Sequence, residues 1–299
     1  MGRGIAFSSD GRYLITVSNG VQIRVREIAE KSIQLCGSYS EHKDRVRALR
    51  FSHSGNLLAS AGYDAVIHLW DFESGILTPR QALPGHEGTI LCLAFSPDDQ
   101  FLVSGGVDTG IMVWRLSETE GQYVLFQELP GHTSWVNDAI FHPDGKTFFS
   151  GGSDNMIRVW GYDGEQFAEQ QAIKTHSSSS WVQALAMTPD GETLASGGSD
   201  CCIHIWRFEN GAWIRQTYLR GAAACIMALD FEKEGQYLAS GTKDRWVSIW
   251  RKHPTFYSLE KALSEHSGSL FSVSFSPGGE MLATEGCDRQ VKIWNIRRK

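Results

Sequence analysis

The sequence of 299 residues lacks several features that would define its class of protein. Six cysteines occur without a Cys-x-x-Cys pair, a density too low for a disulfide-held domain, so reduced thiols are expected. No apolar run reaches the roughly 18 residues that a membrane-spanning helix needs, and residues 1–10 contain no apolar signal-peptide core. These absences predict a soluble, intracellular protein in the cytoplasm and not at a membrane, with the nucleus as the alternative location.

A basic excess is also lacking. The chain has 28 Lys and Arg against 34 Asp and Glu, a net charge of −6, which argues against a general nucleic-acid surface and leaves only a local basic patch open. The adjacent Cys201 and Cys202 suggest a soft-metal site or a vicinal disulfide as an alternative. They follow Asp200 at positions that vary between repeats, so inert thiols are expected. No metal and no cofactor is predicted.

The chain does contain a long-period repeat. Six Trp residues follow one another at intervals of 44, 46, 46, 44 and 44 residues, each with Asp six residues before it and an apolar residue nineteen before it. The three series are Trp70, Trp114, Trp160, Trp206, Trp250 and Trp294; Asp64, Asp108, Asp154, Asp200, Asp244 and Asp288; and Phe51, Phe95, Phe141, Met187, Phe231 and Phe275. Arg26 and Phe7 occupy the equivalent positions of a degenerate first copy, which makes seven units.

Each unit reads as three or four short strands separated by turns, as in residues 86–116. One such unit cannot bury both of its faces, whereas seven packed radially bury a continuous core. The pattern therefore predicts an all-β, seven-bladed propeller with four-stranded antiparallel blades, forming one domain over residues 1–299. The predicted units cover approximately residues 1–41, 42–85, 86–131, 132–175, 176–221, 222–265 and 266–299.

Two further motifs accompany the repeat. Leu-Pro-Gly-His occurs at residues 83–86 and 129–132, and six units end in Asp-x5-Trp. With these motifs the chain resembles the WD40 family over essentially its whole length. The resemblance implies a hydrogen-bond chain inside each complete blade, from the Trp indole to a Ser or Thr hydroxyl, to His and to Asp. The complete sets are His42/Ser60/Asp64/Trp70, His86/Ser104/Asp108/Trp114, His132/Ser150/Asp154/Trp160 and His266/Thr284/Asp288/Trp294.

The same residue types would form a nucleophilic triad, but catalysis needs one tuned site and not several equivalent ones, so no enzyme is predicted. Three units depart from the pattern. His176 of the fifth unit lies two residues too far from its Trp, and Ala222 replaces His in the sixth. The first unit keeps Thr16 but has Gly20 and Arg26 in place of Asp and Trp. We expect these three blades to be the least rigid.

The first and last units of the chain are predicted to begin and end at different strands of a blade. Aligning the first unit with the second starts the chain at the innermost strand of blade one, and Trp294 lies in the third strand of blade seven. The last blade is therefore predicted to lack its outer strand in this chain. WD40 rings usually close with a strand from upstream sequence, which leads to the hypothesis that this is the C-terminal part of a longer polypeptide. The open edge otherwise offers a place for a partner strand.

The resemblance places three exposed positions per blade on the top face: six and four residues before the apolar position, and one before Asp. Trp135 and Trp181 share one of these positions in neighbouring blades, so we expect them side by side near the central channel. Such Trp and Arg residues dominate interface hot spots, although both rings would alternatively pack against adjacent loops. The candidate partner-binding residues are Trp135, Trp181, Arg45, Arg47, Tyr63, Phe271, Lys243, Asn137, Gln183, Met227 and Arg3.

The predicted function is a non-catalytic scaffold that binds a protein segment on this face, as the recognition or sensor module of a larger polypeptide. Arg3, Arg45 and Arg47 favour an acidic or phosphorylated peptide. One alternative is a substrate receptor of a cullin-type ubiquitin ligase, since Trp294-Asn295-Ile296-Arg297 imperfectly matches a Trp-Asp-x-Arg box. A nucleic-acid-binding propeller is the other.

Overall fold

The computed structural model describes residues 4–17, 20–29, 32–175 and 180–296. Within these ranges 27 strands form seven antiparallel sheets, six with four strands and one with three. Strands that follow each other in sequence pair with each other in every sheet, so each blade is a simple meander. The predicted seven-bladed propeller is confirmed. None of the described segments is a helix long and apolar enough to cross a membrane.

The first four blades follow one another without a change of topology. Blade one comprises β1 (Ile5–Phe7), β2 (Tyr13–Thr16), β3 (Ile23–Ala29) and β4 (Ser32–Tyr39). Blade two comprises β5 (Val46–Phe51), β6 (Leu57–Gly62), β7 (Val66–Glu73) and β8 (Ile76–Pro84). Blade three comprises β9 (Ile90–Phe95), β10 (Phe101–Gly106), β11 (Ile111–Leu116) and β12 (Tyr123–Leu129). Blade four comprises β13 (Val136–Phe141), β14 (Thr147–Gly152), β15 (Met156–Tyr162) and β16 (Phe167–Lys174).

The last three blades complete the ring. Blade five comprises β17 (Val182–Met187), β18 (Thr193–Gly198), β19 (Cys202–Glu209) and β20 (Ala212–Arg220). Blade six comprises β21 (Ile226–Phe231), β22 (Tyr237–Thr242), β23 (Val247–Lys252) and β24 (Tyr257–Leu263). Blade seven comprises β25 (Leu270–Phe275), β26 (Met281–Gly286) and β27 (Val291–Asn295). No fourth strand pairs with β27 in the described part of the chain, which confirms the predicted incomplete last blade.

The core lies between blades. Trp114 of blade three packs with Leu69 of blade two, and Trp160 of blade four packs with Val103 of blade three. Inner strands such as β9 and β10 are buried along their whole length because a neighbouring blade covers each of their faces. Outer strands such as β8 are largely exposed. Each repeat Trp thus packs its own blade against the one before it, so the clusters of buried residues lie between neighbouring blades.

The turn between the second and third strands has the same conformation in six blades. The residue after the repeat Asp has a positive φ, between 60° and 81°, at Ala65, Thr109, Asn155, Cys201, Arg245 and Arg289. L-residues other than Asn and Asp rarely adopt this left-handed conformation, which costs roughly 1–2 kcal/mol. The backbone geometry is therefore imposed by the flanking strands and the Asp, and the side chain at this position varies between repeats.

Candidate functional site

The apparent catalytic triads are structural. In blade two the Trp70 indole donates to Ser60 Oγ at 2.8 Å, and His42 joins that hydroxyl at 2.7 Å to Asp64 at 2.8 Å. Ser60 is completely buried and the His42 side chain has no exposed surface. The hydroxyl has two partners and no access to a substrate, so it cannot act as a nucleophile.

The other three complete sets repeat this geometry. Their His–Ser/Thr separations are 2.8 Å each, and the Trp indoles donate at 2.9 Å. The predicted hydrogen-bond chains are therefore confirmed in blades two, three, four and seven. The same stabilising hydrogen-bond network thus occurs in four of the seven blades.

The three departing blades satisfy their polar groups differently. His176 lies outside the described residues, and His204 instead contacts Asp200, with 2.9 Å between Nε2 and Oδ2. In blade six Trp250 still donates to Ser240, while Thr242 donates to Asp244. In blade one Arg26 replaces Trp and donates from its guanidinium to Thr16. The sequence signal for His204 is its place four residues after Asp200, on the strand that carries the repeat Trp.

A depression of about 630 Å³ occupies the end of the propeller at which the inner strands begin. Six of the eleven predicted partner-binding residues line it: Arg47, Tyr63, Trp135, Asn137, Trp181 and Gln183. Thr89, Leu91, Val107 and Ser153, four more of the predicted top-face positions, complete the lining with Ser134. Backbone hydrogen bonds join the loops at this end; for example, Ser153 N–H donates to the Trp135 carbonyl at 2.8 Å.

Trp135 and Trp181 line the same depression, as expected from their equivalent positions. Trp135 is 54% exposed, Trp181 is 44% exposed and Tyr63 is 44% exposed. The rings are therefore not packed away against adjacent loops. Exposed aromatic rings around a concave surface are typical of a protein-binding site.

Asn137 has a supporting role in the floor of the depression. It is buried, and its side-chain amide donates to Ser153 Oγ at 2.9 Å and to the Val182 carbonyl of the next blade at 2.8 Å. With both donors engaged inside the protein, Asn137 positions the Trp135 and Trp181 segments relative to each other.

Arg47 is the charged group of the depression. Its Nε and Nη1 atoms are buried and have no hydrogen-bond partner among the described residues. Burial lowers the pKa of Arg47 to about 10, while Tyr63 and Cys92 act in the opposite direction. The guanidinium remains charged at pH 7, and two of its nitrogens are buried without a partner in the described fold.

The remaining predicted residues lie elsewhere. Arg45 and Lys243 are exposed, and Met227 and Phe271 are partly buried; none of the four lines the depression. Arg3 lies outside the described residues, as does Arg297 of the Trp-Asp-x-Arg-like box. The predicted set therefore divides into one cluster on blades two to five and several separate side chains.

The opposite mouth of the channel is a depression of about 460 Å³, where the inner strands end. Asp230 and Arg50 line it. Burial raises the pKa of Asp230 to about 7, against the lowering effects of the Phe275 N–H and Arg50. Asp230 Oδ2 accepts from Phe275 N–H at 2.7 Å, and Asp138 Oδ2 accepts from Leu185 N–H at 2.6 Å. These carboxylates connect the inner strands of adjacent blades, which accounts for their positions without a ligand.

One group of possible metal ligands lies near the Cys pair. Asp200, Cys202 and His204 place one ligand atom each within 4.8 Å of one another. Arg215 lies 3.4 Å from His204 Nδ1, and Arg220 hydrogen-bonds Cys202, so two guanidinium groups oppose a bound cation. All six cysteines are free. Burial, with Asp200 adding to it, raises the pKa of the Cys202 thiol, which favours the unreactive protonated form.

Comparison with known proteins identifies the repeat. The family described as "WD domain, G-beta repeat" matches residues 33–71, 77–115, 123–161, 168–207, 214–251 and 257–295, together well over half of the chain. Each matched range runs from the outer strand of one blade through the third strand of the next. The family repeat therefore begins at an outer strand, whereas the units predicted from the sequence begin between two blades.

Curated relatives and solved structures agree with this. Human F-box and WD repeat domain containing protein 10B is 37% identical over 83 residues, 27% of this chain and 10% of that protein. Human F-box/WD repeat-containing protein 10 is also 37% identical over 83 residues, covering 27% of this chain and 8% of that protein. The matches thus span about a tenth or less of these relatives. A chain of the crystal structure of the mitotic checkpoint complex has a TM-score of 0.84 at 22% identity, over 99% of this chain and 89% of its own, which shows the fold alone.

Proposed function

The chain belongs to the WD40 family of repeat propellers, and on that premise we propose that its top-face depression binds a segment of another protein. WD40 propellers bind proteins and are generally non-catalytic scaffolds. The observation that carries the proposal is the pair of exposed indoles, Trp135 and Trp181, on one concave surface.

The energetic case rests on these rings. An aromatic side chain buries 150–250 Å² when covered, so covering the exposed half of both indoles contributes about 5 kcal/mol before the costs of association. A depression of about 630 Å³ accommodates a few side chains and not a folded domain. The partner surface is therefore a short segment that inserts side chains between Tyr63, Trp135 and Trp181.

The charge of the surface favours a segment with acidic character. Arg47 lies in the depression and Arg45 is exposed on the same strand end, while no Asp or Glu lies among the described lining residues. Lys243, Met227 and Phe271 lie on blades six and seven and are proposed as peripheral contacts of a longer segment. The module acts in recognition, with the specificity set by the top face.

The test is affinity capture from native lysate followed by mass spectrometry. Wild-type protein is compared with a Trp135→Ala/Trp181→Ala variant whose folding is verified by circular dichroism. Trp246→Ala is the matched control, because Trp246 is also 44% exposed but does not line the depression. We expect a partner that wild type and Trp246→Ala capture and the double variant loses. Equal capture by all three proteins would contradict the proposal.

A substrate receptor of a cullin-type ubiquitin ligase is the second candidate, favoured by the similarity to proteins named for an F-box and WD repeats. It uses the same top face for the substrate and requires a second contact with the ligase. Ligase subunits captured equally by wild type and the Trp135/Trp181 variant would support it. Nucleic-acid binding would instead show a steep loss of affinity with salt.

A further inference from the structure

The unpaired guanidinium of Arg47 gives the depression a chemical preference. Arg47 is the second residue of β5, four residues before Phe51, and it lines the depression together with Tyr63 and Trp135. Its Nε and Nη1 atoms are shielded from solvent and hydrogen-bonded to nothing in the described ranges. A buried charge without a partner is destabilising, because the group has lost its hydration and gained no counter-charge.

The counter-charge does not come from the described fold. No ion pair of the described residues includes Arg47, its ionisable neighbours Tyr63 and Cys92 are not carboxylates, and no Asp or Glu lies among the described lining residues. An anion from a ligand would supply both the charge and the acceptors that these nitrogens lack. A guanidinium presents planar donors that match a carboxylate in a bidentate arrangement.

The number of cations decides between a carboxylate and a phosphate. Arg47 is the one charged side chain among the described lining residues, and Thr89, Ser134, Ser153 and Gln183 supply only neutral polar groups. A phosphate group carries a charge of about −1.5 to −2 at pH 7 and is usually held by several cations. One guanidinium neutralises one carboxylate, and the exposed Arg45 lies outside the depression.

We infer that the depression is a carboxylate-recognition pocket, in which Arg47 binds one Asp or Glu side chain or a C-terminal carboxylate while Trp135 and Trp181 hold the flanking residues. This inference rests on the proposed function, since it names the chemistry of the segment bound there. The inference predicts that one acidic group at a defined position is required for affinity, beyond any general electrostatic preference for negative charge.

The experiment is selection of random linear peptides on the whole protein, followed by affinity measurements on synthetic forms of the enriched peptides by fluorescence polarisation at physiological ionic strength. Each peptide is made with its acidic residue intact, replaced by the amide, or replaced by phosphoserine, and with a free or amidated C-terminus. Binding is measured to wild type, Arg47→Gln and the matched control Arg251→Gln, which removes the same charge from an exposed position that does not line the depression.

We expect the acid-to-amide change to weaken binding to wild type and Arg251→Gln by about 10- to 100-fold, and to have little effect on Arg47→Gln. Loss on side-chain replacement identifies Asp or Glu as the source, and loss on C-terminal amidation identifies the chain end. Phosphoserine should bind more weakly than the carboxylate.

Three outcomes would overturn the inference, and they differ in whether the proposed function is also refuted. Enriched peptides that bind through Trp135 and Trp181 with no acidic requirement would leave the proposed function standing and refute the carboxylate pocket. Tighter binding of phosphoserine would replace the carboxylate by a phosphate. Failure of any peptide to enrich would remove the proposed function together with the inference. Because Arg47→Gln removes an unpaired charge, it is expected to fold, and thermal unfolding of each variant verifies this.

Discussion

The unpaired charge of Arg47 makes a prediction about stability that is independent of any ligand. Replacing Arg47 by Met, which preserves much of the aliphatic stem, should stabilise the unliganded protein. The fall of its pKa from 12.5 to about 10 corresponds to at most about 3.5 kcal/mol at pH 7, at roughly 1.4 kcal/mol per pH unit. Because Arg47 is partly solvent-exposed, we expect a gain of about 1–3 kcal/mol.

The assay is urea-induced unfolding followed by Trp fluorescence, with the midpoint and slope determined for each variant. Arg45→Met provides the control, since exposed substitutions usually change stability by less than about 0.5 kcal/mol. The stabilisation of Arg47→Met should be fully present below about pH 10 and decrease progressively above it, because the folded wild type then releases a proton that the unfolded chain still binds. A loss of more than about 1 kcal/mol in Arg47→Met would refute the reasoning, since it would mean that the fold already compensates the guanidinium.

Other features of the ring support three further predictions. Ser104→Ala removes the hydrogen-bond partner of both the Trp114 indole and His86 Nε2, and it should cost about 2–4 kcal/mol in urea unfolding. Ser240→Ala, in the blade without that imidazole, removes only the partner of the Trp250 indole and should cost about 1–2 kcal/mol. A larger cost in Ser240→Ala would contradict the role of the complete network. Folded Asp230 has a pKa of about 7 against 3.8 for the unfolded chain, so the folded protein binds more protons between these values and the free energy of unfolding falls as the pH rises. Asp230→Asn should flatten that part of the stability profile, and an unchanged slope would argue against it. Ala65→Gly should raise the unfolding midpoint by the equivalent of about 1 kcal/mol, because Ala65 has a φ of 60°, and a lowered midpoint would show that the left-handed turn is not strained.

The architecture could be predicted from the sequence because its signal is repeated. Six Trp residues in register with Asp and an apolar position specify the blades, and the four hydrogen-bond sets follow from residue matching. The substitutes in irregular blades could not be predicted in the same way. Arg26 donates to Thr16, and His204 contacts Asp200, because tertiary packing recruits whichever donor lies nearest to a buried acceptor.

The site was predicted in part. Equivalent repeat positions place Trp135 and Trp181 on the same mouth of the channel, so spacing alone brings these two residues together. Spacing does not reveal that Asn137 is engaged by Ser153 and Val182, or that two nitrogens of Arg47 have no described partner. Those properties depend on side-chain conformations set by the neighbouring blade, which a repeat pattern does not encode. Binding by the predicted residues stays a prediction.

The central claim, that the top-face depression is the recognition surface, is tested most directly by photo-crosslinking in cells. A photoreactive phenylalanine analogue is placed at position 135 or 181, and separately at position 246, where Trp246 is as exposed as Trp181. The account predicts a strong, discrete crosslink to a partner from positions 135 and 181, weakened by Arg47→Gln, and at most a much weaker one from position 246, which lies outside the depression. The same crosslinks from all three positions, or a discrete partner from position 246 alone, would contradict it.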